Sequence, residues 1–132
     1  MKRYILPDCI LVSLLLLLSA CDGNTVEPPV QTPSGTPVTF IEIGSIHCEP
    51  CRMMQPIMES LADKYGPDQL TVLFLDVIKD KPEADIYRIR VMPTQVFLDE
   101  DGVEFHRHEG FYPEEEIDSL LAGRNLTLLP GK

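Results

Sequence analysis

The pattern of apolar and polar positions changes character along the 132 residues. An apolar stretch covers residues 10–18, and a proline-rich polar stretch follows over residues 22–37. From Val38 onward, short apolar runs alternate with helical periodicities. The pattern predicts one folded domain over residues 38–122 and a C-terminal tail over residues 123–132.

The folded part is predicted to contain seven elements. They are a strand over 38–44, a helix bearing apolar positions at 54, 57, 58, 61, 62 and 65, a strand over 70–77, a helix over 82–88, strands over 94–98 and 103–108, and a helix from Pro113 to Gly123. Pro56 is expected to kink the first helix. The order β-α-β-α-β-β-α predicts an α/β fold with a central four-stranded mixed sheet flanked by helices.

The N-terminus has the features of an export signal. Lys2 and Arg3 precede the nine-residue apolar stretch, which is too short to span a bilayer. Leu18-Ser19-Ala20-Cys21 resembles a bacterial lipobox. Residues 1–20 are therefore predicted to be a lipoprotein signal peptide, with lipidation at Cys21. The alternative is an ordinary signal peptide that leaves an incidental cysteine.

Residues 22–37 are predicted to be a tether beyond the lipidated Cys21, so the second region of the chain is 21–37. Four of the sixteen residues after Cys21 are prolines, and the stretch has almost nothing to bury. In bacteria of the enteric type, an aspartate at the position of Asp22 resembles a signal for retention at the inner membrane. We therefore expect a periplasmic protein, anchored by lipid to the inner membrane.

The charge balance excludes one class of partner. Lys and Arg number 11 against 21 Asp and Glu, which gives a formal net charge of −10. Binding to nucleic acid needs a basic face, so no nucleic-acid partner is expected. Of the four cysteines, Cys9 lies in the leader and Cys21 in the lipobox. Cys48 and Cys51 are left as thiols.

The motif Cys48-Glu49-Pro50-Cys51 follows a predicted strand and opens a predicted helix. Free N–H groups and the dipole at a helix N-terminus stabilise a thiolate and lower its pKa, so Cys48 is the candidate nucleophile. Cys51 lies one turn further on, where it can resolve a mixed disulfide. A structural zinc site would need further ligands, and so short a loop makes a weak stabilising disulfide.

Together with several other sequence features, this motif makes residues 38–121 resemble the thioredoxin family. Pro56 falls five residues after Cys51, residues 91–94 (VMPT) resemble the cis-proline loop, and Gly110 follows the last strand. Residues 70–77 resemble the central strand of that family. The resemblance implies a trimmed thioredoxin fold and a thiol–disulfide oxidoreductase without cofactor or metal, and we expect a monomer acting on disulfide-containing proteins.

The resemblance also implies roles for the surrounding residues. Glu42 would be a buried acid that moves protons to or from Cys51, although it could instead be a solvated charge on the strand. Pro93 would be cis, which would let the Met92 backbone pair with an extended substrate peptide. His47, Glu49 and Pro50 flank the cysteines and are candidate substrate contacts.

The chain departs from the family at several of these positions. His47 stands where tryptophan is usual, Glu49 where glycine is usual, and Phe74 in place of a lysine that accompanies the buried acid. The tether replaces an initial strand and helix. A negative charge at Glu49 disfavours the thiolate and makes the pair more reducing, which favours a reductase.

Together, the motif, the anchor and the export signal resemble the tethered thiol reductases of cytochrome c maturation. Those proteins often insert a strand and a helix before the cis-proline, for which this chain has no room. A membrane thiol transporter would supply the electrons.

Two other functions and one further site remain open. The first function is a disulfide oxidase or isomerase with the same fold. The second is a copper chaperone that uses the two cysteines with His47 or with a methionine, Met53 or Met54. Separately, His106 and His108 form an H-x-H on one side of a strand, which could bind metal, although such pairs are more commonly polar side chains that face solvent.

Overall fold

The computed structural model describes residues 36–131. The predicted signal peptide, the lipidation site at Cys21 and nearly all of the tether lie outside these residues. Within the described chain, no helix is both long enough and apolar enough to cross a membrane.

The chain forms four strands and three helices in the predicted order, which confirms the fold class. The elements are β1 (Val38–Gly44), α1 (Glu49–Tyr65), β2 (Leu70–Asp76), α2 (Lys81–Ile86), β3 (Thr94–Asp99), β4 (Glu104–Glu109) and α3 (Glu114–Ala122). The boundaries differ from the predicted ones by one or two residues at α2, β2, β3 and β4.

The sheet has the strand order β2-β1-β3-β4. β1 pairs in parallel with β2 and antiparallel with β3, and β3 pairs antiparallel with β4. β1 is buried along its whole length, because it has a strand on each side and helices on both faces.

The expectation that the second strand is central is wrong for the described sheet. β2 lies at its edge, and the five residues between its ends are only half-buried. Val72 and Phe74 pack against the core under α1 and α3, while Leu73 and Leu75 pack against the core under α2. The apolar run in β2 therefore indicates that both faces of this strand are covered, and it does not indicate that the strand has a neighbour on each side.

Two hydrophobic cores lie on opposite faces of the sheet. The larger core, between the sheet and helices α1 and α3, contains Phe40 and Phe97, whose rings stack with centroids 4.8 Å apart. Met54, Met58 and Leu61 cover it from α1, but Ala62 is exposed, contrary to the predicted helix face. The smaller core contains Ile41, Ile43 and Val96 beneath α2.

Helix α1 carries the cysteine motif at its N-terminus. Cys48 is the N-cap in extended backbone, Pro50 lies in the first turn, and the helix continues through Pro56. Pro50 suits this place because its missing N–H would be unpaired there in any residue. Gly66 ends the helix at a positive φ of 73°, a conformation that glycine adopts without strain.

Candidate active site

Cys48 and Cys51 form a disulfide whose Cα atoms are 5.3 Å apart. Cys48 is half-exposed, whereas Cys51 is buried with 1% of its surface accessible. The backbone N–H of Cys51 donates to Sγ of Cys48 over 3.4 Å, so this sulfur already receives a helix N-terminal N–H. The difference in exposure agrees with Cys48 as the attacking sulfur and Cys51 as the resolving one.

The loop before Cys48 is held by hydrogen bonds to the end of β1 and to the end of β2. The N–H of Cys48 donates to the carbonyl of Ser45 over 3.0 Å, and the N–H of Ile46 donates to Oδ2 of Asp76 over 3.4 Å. The other oxygen of Asp76 accepts the N–H groups of Ile78 (2.9 Å) and Lys79 (3.2 Å). These backbone donors, that of Ile78 first, lower the pKa of Asp76.

Glu42 lies on β1 on the same face of the sheet as α1. None of its surface is accessible, and neither carboxyl oxygen has a hydrogen-bond partner, so it is not a solvated charge. Burial raises the pKa of this carboxyl from 4.5 to about 8. At neutral pH, Glu42 is therefore predominantly uncharged in the disulfide form.

Gly44 brings Glu42 and Cys51 close to each other. A Cβ atom at position 44 would lie 2.8 Å from Sγ of Cys51 and 3.6 Å from Oε1 of Glu42. The space where a side chain would stand is thus shared by the resolving sulfur and the carboxyl. The transfer of a proton between the two groups stays a prediction from the resemblance.

The Met92–Pro93 peptide bond is cis, the geometry that the resemblance implies. The carbonyl of Pro93 accepts the N–H of Gly110 over 2.7 Å, which ties this loop to the segment after β4. Pro93 is buried, but Met92 is 44% exposed. Phe111, next to Gly110, is also exposed, so the two tied loops present apolar side chains to solvent.

His47, Glu49 and Pro50 are all exposed around the half-exposed Cys48. Their role as substrate contacts stays a prediction. Phe74 lies on β2 directly opposite Glu42 in the register, so no cation occupies that position beside the acid. Phe74 also lines a pocket of about 240 Å³, together with Ser45, Ile46, Cys51, Arg52 and Gln55.

The two histidines of β4 make contacts within the protein. Nε2 of His106 lies 3.2 Å from the Tyr112 hydroxyl, and Nε2 of His108 lies 3.1 Å from the carbonyl of Phe111. The His108 ring stacks on Tyr112 with centroids 4.0 Å apart. Burial lowers the pKa of His106, and the charge of His108 lowers it further. These contacts give the H-x-H pattern a structural role.

The methionines beside the motif differ in environment. Sδ of Met54 accepts the N–H of Tyr112 over 3.4 Å inside the core, whereas Met53 is 53% exposed. Within residues 36–131, no group of three or more His, Cys, Asp or Glu side chains is placed to hold a metal ion.

Three residues of the site were not predicted from the sequence. The sequence pattern marks Gly44 only as the end of a strand and includes Asp76 in an apolar run. An aspartate that ends such a run is the usual start of a turn in which the side chain accepts the N–H two residues on, so a signal for Asp76 was available. Gln95, which is fully buried and opposite Glu42, falls inside a strand pattern that gave no sign of it.

Comparison with known proteins gives a consistent result. The sequence model of the thioredoxin family matches residues 31–123. A thioredoxin of Bacillus subtilis is 32% identical over 74 residues, which are 56% of this chain and 69% of that protein. A thioredoxin of Staphylococcus epidermidis is 30% identical over 84 residues, or 64% of this chain and 79% of that protein.

Solved structures agree with these sequence relatives. A mutant thioredoxin from Halobacterium salinarum is 27% identical and superposes with a TM-score of 0.60, over 74% of this chain and 81% of its own. The thioredoxin of Fasciola hepatica is also 27% identical, with a TM-score of 0.60 over 69% of this chain and 83% of its own. The chain therefore belongs to the thioredoxin family and is a thiol–disulfide oxidoreductase whose redox pair is Cys48 and Cys51.

Proposed function

We propose that the chain is a membrane-tethered, extracytoplasmic reductase of protein disulfides. The observation that carries the proposal is the half-exposed Cys48 at the N-terminus of α1, with the exposed carboxylate of Glu49 as its neighbour. A negative charge beside the nucleophile disfavours its thiolate, so the dithiol is less stable relative to the disulfide. A pair of this kind gives up its electrons more readily.

The exchange proceeds in two steps. The Cys48 thiolate attacks one sulfur of a substrate disulfide, and the other substrate sulfur leaves as a thiolate. Cys51 then gives its proton to the Glu42 carboxylate, and its thiolate attacks Sγ of Cys48 and releases the second substrate sulfur. Two electrons pass to the substrate. The two steps end with the Cys48–Cys51 disulfide closed and Glu42 uncharged.

The substrate surface is formed by the two loops that the Gly110–Pro93 hydrogen bond joins, together with the loop before Cys48. Ile46, Val91, Met92 and Phe111 are each about two-fifths to one-half exposed, which is high for apolar side chains. An extended peptide could add to the backbone at Met92 as a short strand while its side chains contact this surface. We propose unfolded or extended segments of disulfide-bonded proteins as the substrate.

The location is proposed from the sequence. The lipobox at Cys21 and the positively charged leader support export and a lipid anchor, and Asp22 after the lipobox favours the inner membrane. Several acyl chains on one residue are sufficient for stable attachment. A membrane thiol transporter would regenerate the dithiol: its thiolate attacks Sγ of Cys48, and the departing Cys51 sulfur takes the proton of Glu42. A second thiol of the transporter then attacks the transporter sulfur of this mixed disulfide, which releases Cys48 and leaves the transporter oxidised.

Disulfide-bonded precursors of cytochrome c maturation are the substrate class that the motif and the anchor favour. Between β2 and β3, however, the described chain has only α2, without the inserted strand and helix common in those reductases. Any substrate contacts that the insertion supplies would have to come from the exposed loops instead.

A Cys51→Ser variant of the full chain tests the exchange function. The variant can form a mixed disulfide through Cys48 but cannot resolve it, so covalent adducts with substrate proteins should accumulate and disappear on reduction. Cys48→Ser is the matched control and should trap none. If Cys51→Ser traps nothing, and the wild-type chain binds Cu(I) tightly only with both cysteines present, the chain is a copper chaperone.

A Cys21→Ser variant tests the anchor separately. The wild-type chain should fractionate with membranes and take up labelled fatty acid, whereas the variant should be released in soluble form with its thiol chemistry unchanged. A wild-type chain found in the soluble fraction would contradict the tether and leave the exchange function standing.

A further inference from the structure

Gln95 and Glu42 are directly opposite each other on neighbouring strands. β3 pairs antiparallel with β1, with Gln95 in register with Glu42 and Phe97 in register with Phe40. Because side chains alternate along a strand, Glu42 and Gln95 lie on the same face as the stacked phenylalanines, under α1. Opposed residues have Cβ atoms about 5 Å apart, so a glutamine amide can reach the carboxyl.

Both groups are buried and lack hydrogen-bond partners. Gln95 has no accessible surface, and neither Oε1 nor Nε2 is paired, like both oxygens of Glu42. A buried amide without partners costs stability, and an apolar side chain would fill the same volume without that cost. The amide has the N–H that a carboxylate needs and the carbonyl that a carboxylic acid needs.

We propose that Gln95 is a positioning residue for the proton transfer between Glu42 and Cys51. Its amide N–H bonds the ionised carboxylate in the dithiol form, before the proton arrives, and the two groups are unpaired once the disulfide has closed. The inference rests on the proposed role of Glu42. It adds a residue that keeps the acid able to ionise in a site that burial would otherwise hold neutral.

The step balances without any further reactant. In substrate reduction, the S–H bond of Cys51 breaks and the O–H bond of Glu42 forms. The thiolate then forms the bond to Sγ of Cys48, and the bond from Cys48 to the substrate sulfur breaks. The two electrons lost by the cysteine pair reduce the substrate disulfide, and regeneration returns the proton to Cys51.

The other groups around Glu42 leave this amide as its natural partner. From β2, Phe74 is opposite it and is apolar, and Asp76 lies two pairs further along, where backbone N–H groups hold its oxygens. From α1 the facing group is Cys51. On β4, His108 is in register with Gln95, beyond the amide, and stacks on Tyr112.

The test uses the full chain carrying Cys9→Ser and Cys21→Ser, so that Cys48 and Cys51 are the only thiols. Cys48 is converted to a mixed disulfide with a chromogenic aromatic disulfide, and its release by Cys51 is followed across pH. Gln95→Met, which keeps length but removes the hydrogen bonds, should move the midpoint of the profile about one unit higher and slow release at pH 7 about tenfold.

The same substitution in a Glu42→Gln chain separates positioning from packing. If Gln95 acts through the carboxyl, Gln95→Met should leave the release rate of Glu42→Gln within twofold at all pH values. An equal slowing in both backgrounds, or an unshifted profile in the first, overturns the proposal. If Glu42→Gln alone leaves the profile unchanged, the proposed role of Glu42 fails and this inference fails with it.

A measurement on the unsubstituted site covers the case in which Gln95→Met does not fold. In the NMR spectrum of the full chain that carries Cys9→Ser and Cys21→Ser, the side-chain N–H signals of Gln95 should shift with pH. The midpoint of this shift should equal the titration midpoint of Glu42. That titration should vanish in Glu42→Gln. Signals of Gln95 that do not move across the Glu42 titration contradict the contact.

Discussion

At the scale of single residues, two neighbouring carboxyl groups show how environment sets ionisation. Glu42 is buried without hydrogen bonds, and its pKa rises to about 8. Asp76 is 3% exposed but accepts three backbone N–H groups, and its pKa falls. The two groups therefore give protein stability opposite dependences on pH.

Replacing Glu42 by Gln is expected to flatten the stability curve at neutral and alkaline pH. Because the folded-state pKa is raised from 4.5 to about 8, folding takes up a proton between these pH values. Wild-type stability is full below about pH 4.5 and falls as pH rises to about 8, by a loss on the order of several kcal/mol. Denaturant unfolding of the oxidised chains from pH 4 to pH 9 measures this loss of stability. If the stability of the variant falls with pH as steeply as that of the wild type, the buried acid is contradicted.

Replacing Asp76 by Asn is expected to have the opposite signature. Because the folded pKa is lowered, the charged group stabilises the fold above its unfolded pKa, and that contribution is lost as pH falls through the folded pKa. The variant should have a Tm lower by about a few degrees at pH 7, and the difference should close in acid. A difference that persists undiminished at low pH would show that the hydrogen bonds do not depend on the charge.

The residues that the sequence predicts have their partners nearby in the chain, whereas the residues that it misses have partners from distant parts of the chain. Cys48, Cys51 and Pro93 belong to short motifs whose spacing carries the chemistry. Gln95 and Gly44 matter because of what lies across a strand or a helix terminus, and those neighbours come from distant parts of the chain. The contact between Gly44 and Cys51 depends on how α1 leaves β1.

At the scale of elements, the junction of β1 and α1 is the tightest part of the site. Gly44 ends β1, and the sulfur and Cβ of Cys51 lie where a side chain at position 44 would stand. The loop between them is fixed by the Ser45–Cys48 and Ile46–Asp76 hydrogen bonds, so it has little freedom to yield.

Replacing Gly44 by Ala is therefore expected to destabilise the disulfide form by about 1–3 kcal/mol. The new Cβ would be 2.8 Å from Sγ and 3.2 Å from Cβ of Cys51, which is closer than unbonded atoms settle. Chemical denaturation of the oxidised chain gives the value. In a Cys51→Ala background the nearer contact is gone, so the penalty should shrink. An equal penalty in both backgrounds would place the strain elsewhere.

The order of elements could be predicted because each one has its own local pattern. The apolar periodicity predicts α1, and two short runs predict β3 and β4, which pair antiparallel. The position of β2 at the sheet edge could not be predicted in this way. Its side chains contact helices on both faces, so its composition resembles that of a strand in the middle of a sheet.

At the scale of the whole molecule, the fold separates the proposed anchor from the chemistry. The tether would enter at Val38, the first residue of β1, and the cysteine motif follows Gly44 at its other end. Seven extended residues span about 23 Å. The exposed loops around Cys48 therefore lie at the opposite end of β1 from Val38, where a tether would attach.

The central claim is that Cys48 and Cys51 form a reducing pair, and the reduction potential of this pair tests it most directly. We would equilibrate residues 22–132 with glutathione or dithiothreitol buffers and measure the thiol fraction. Replacing Glu49 by Gln in parallel should raise the potential by about 10–20 mV, because it removes a negative charge beside the thiolate. The wild-type potential is predicted to lie close to or below about −270 mV, the range of thioredoxin, whereas a value near about −120 mV would contradict a reductase and indicate an oxidase or isomerase.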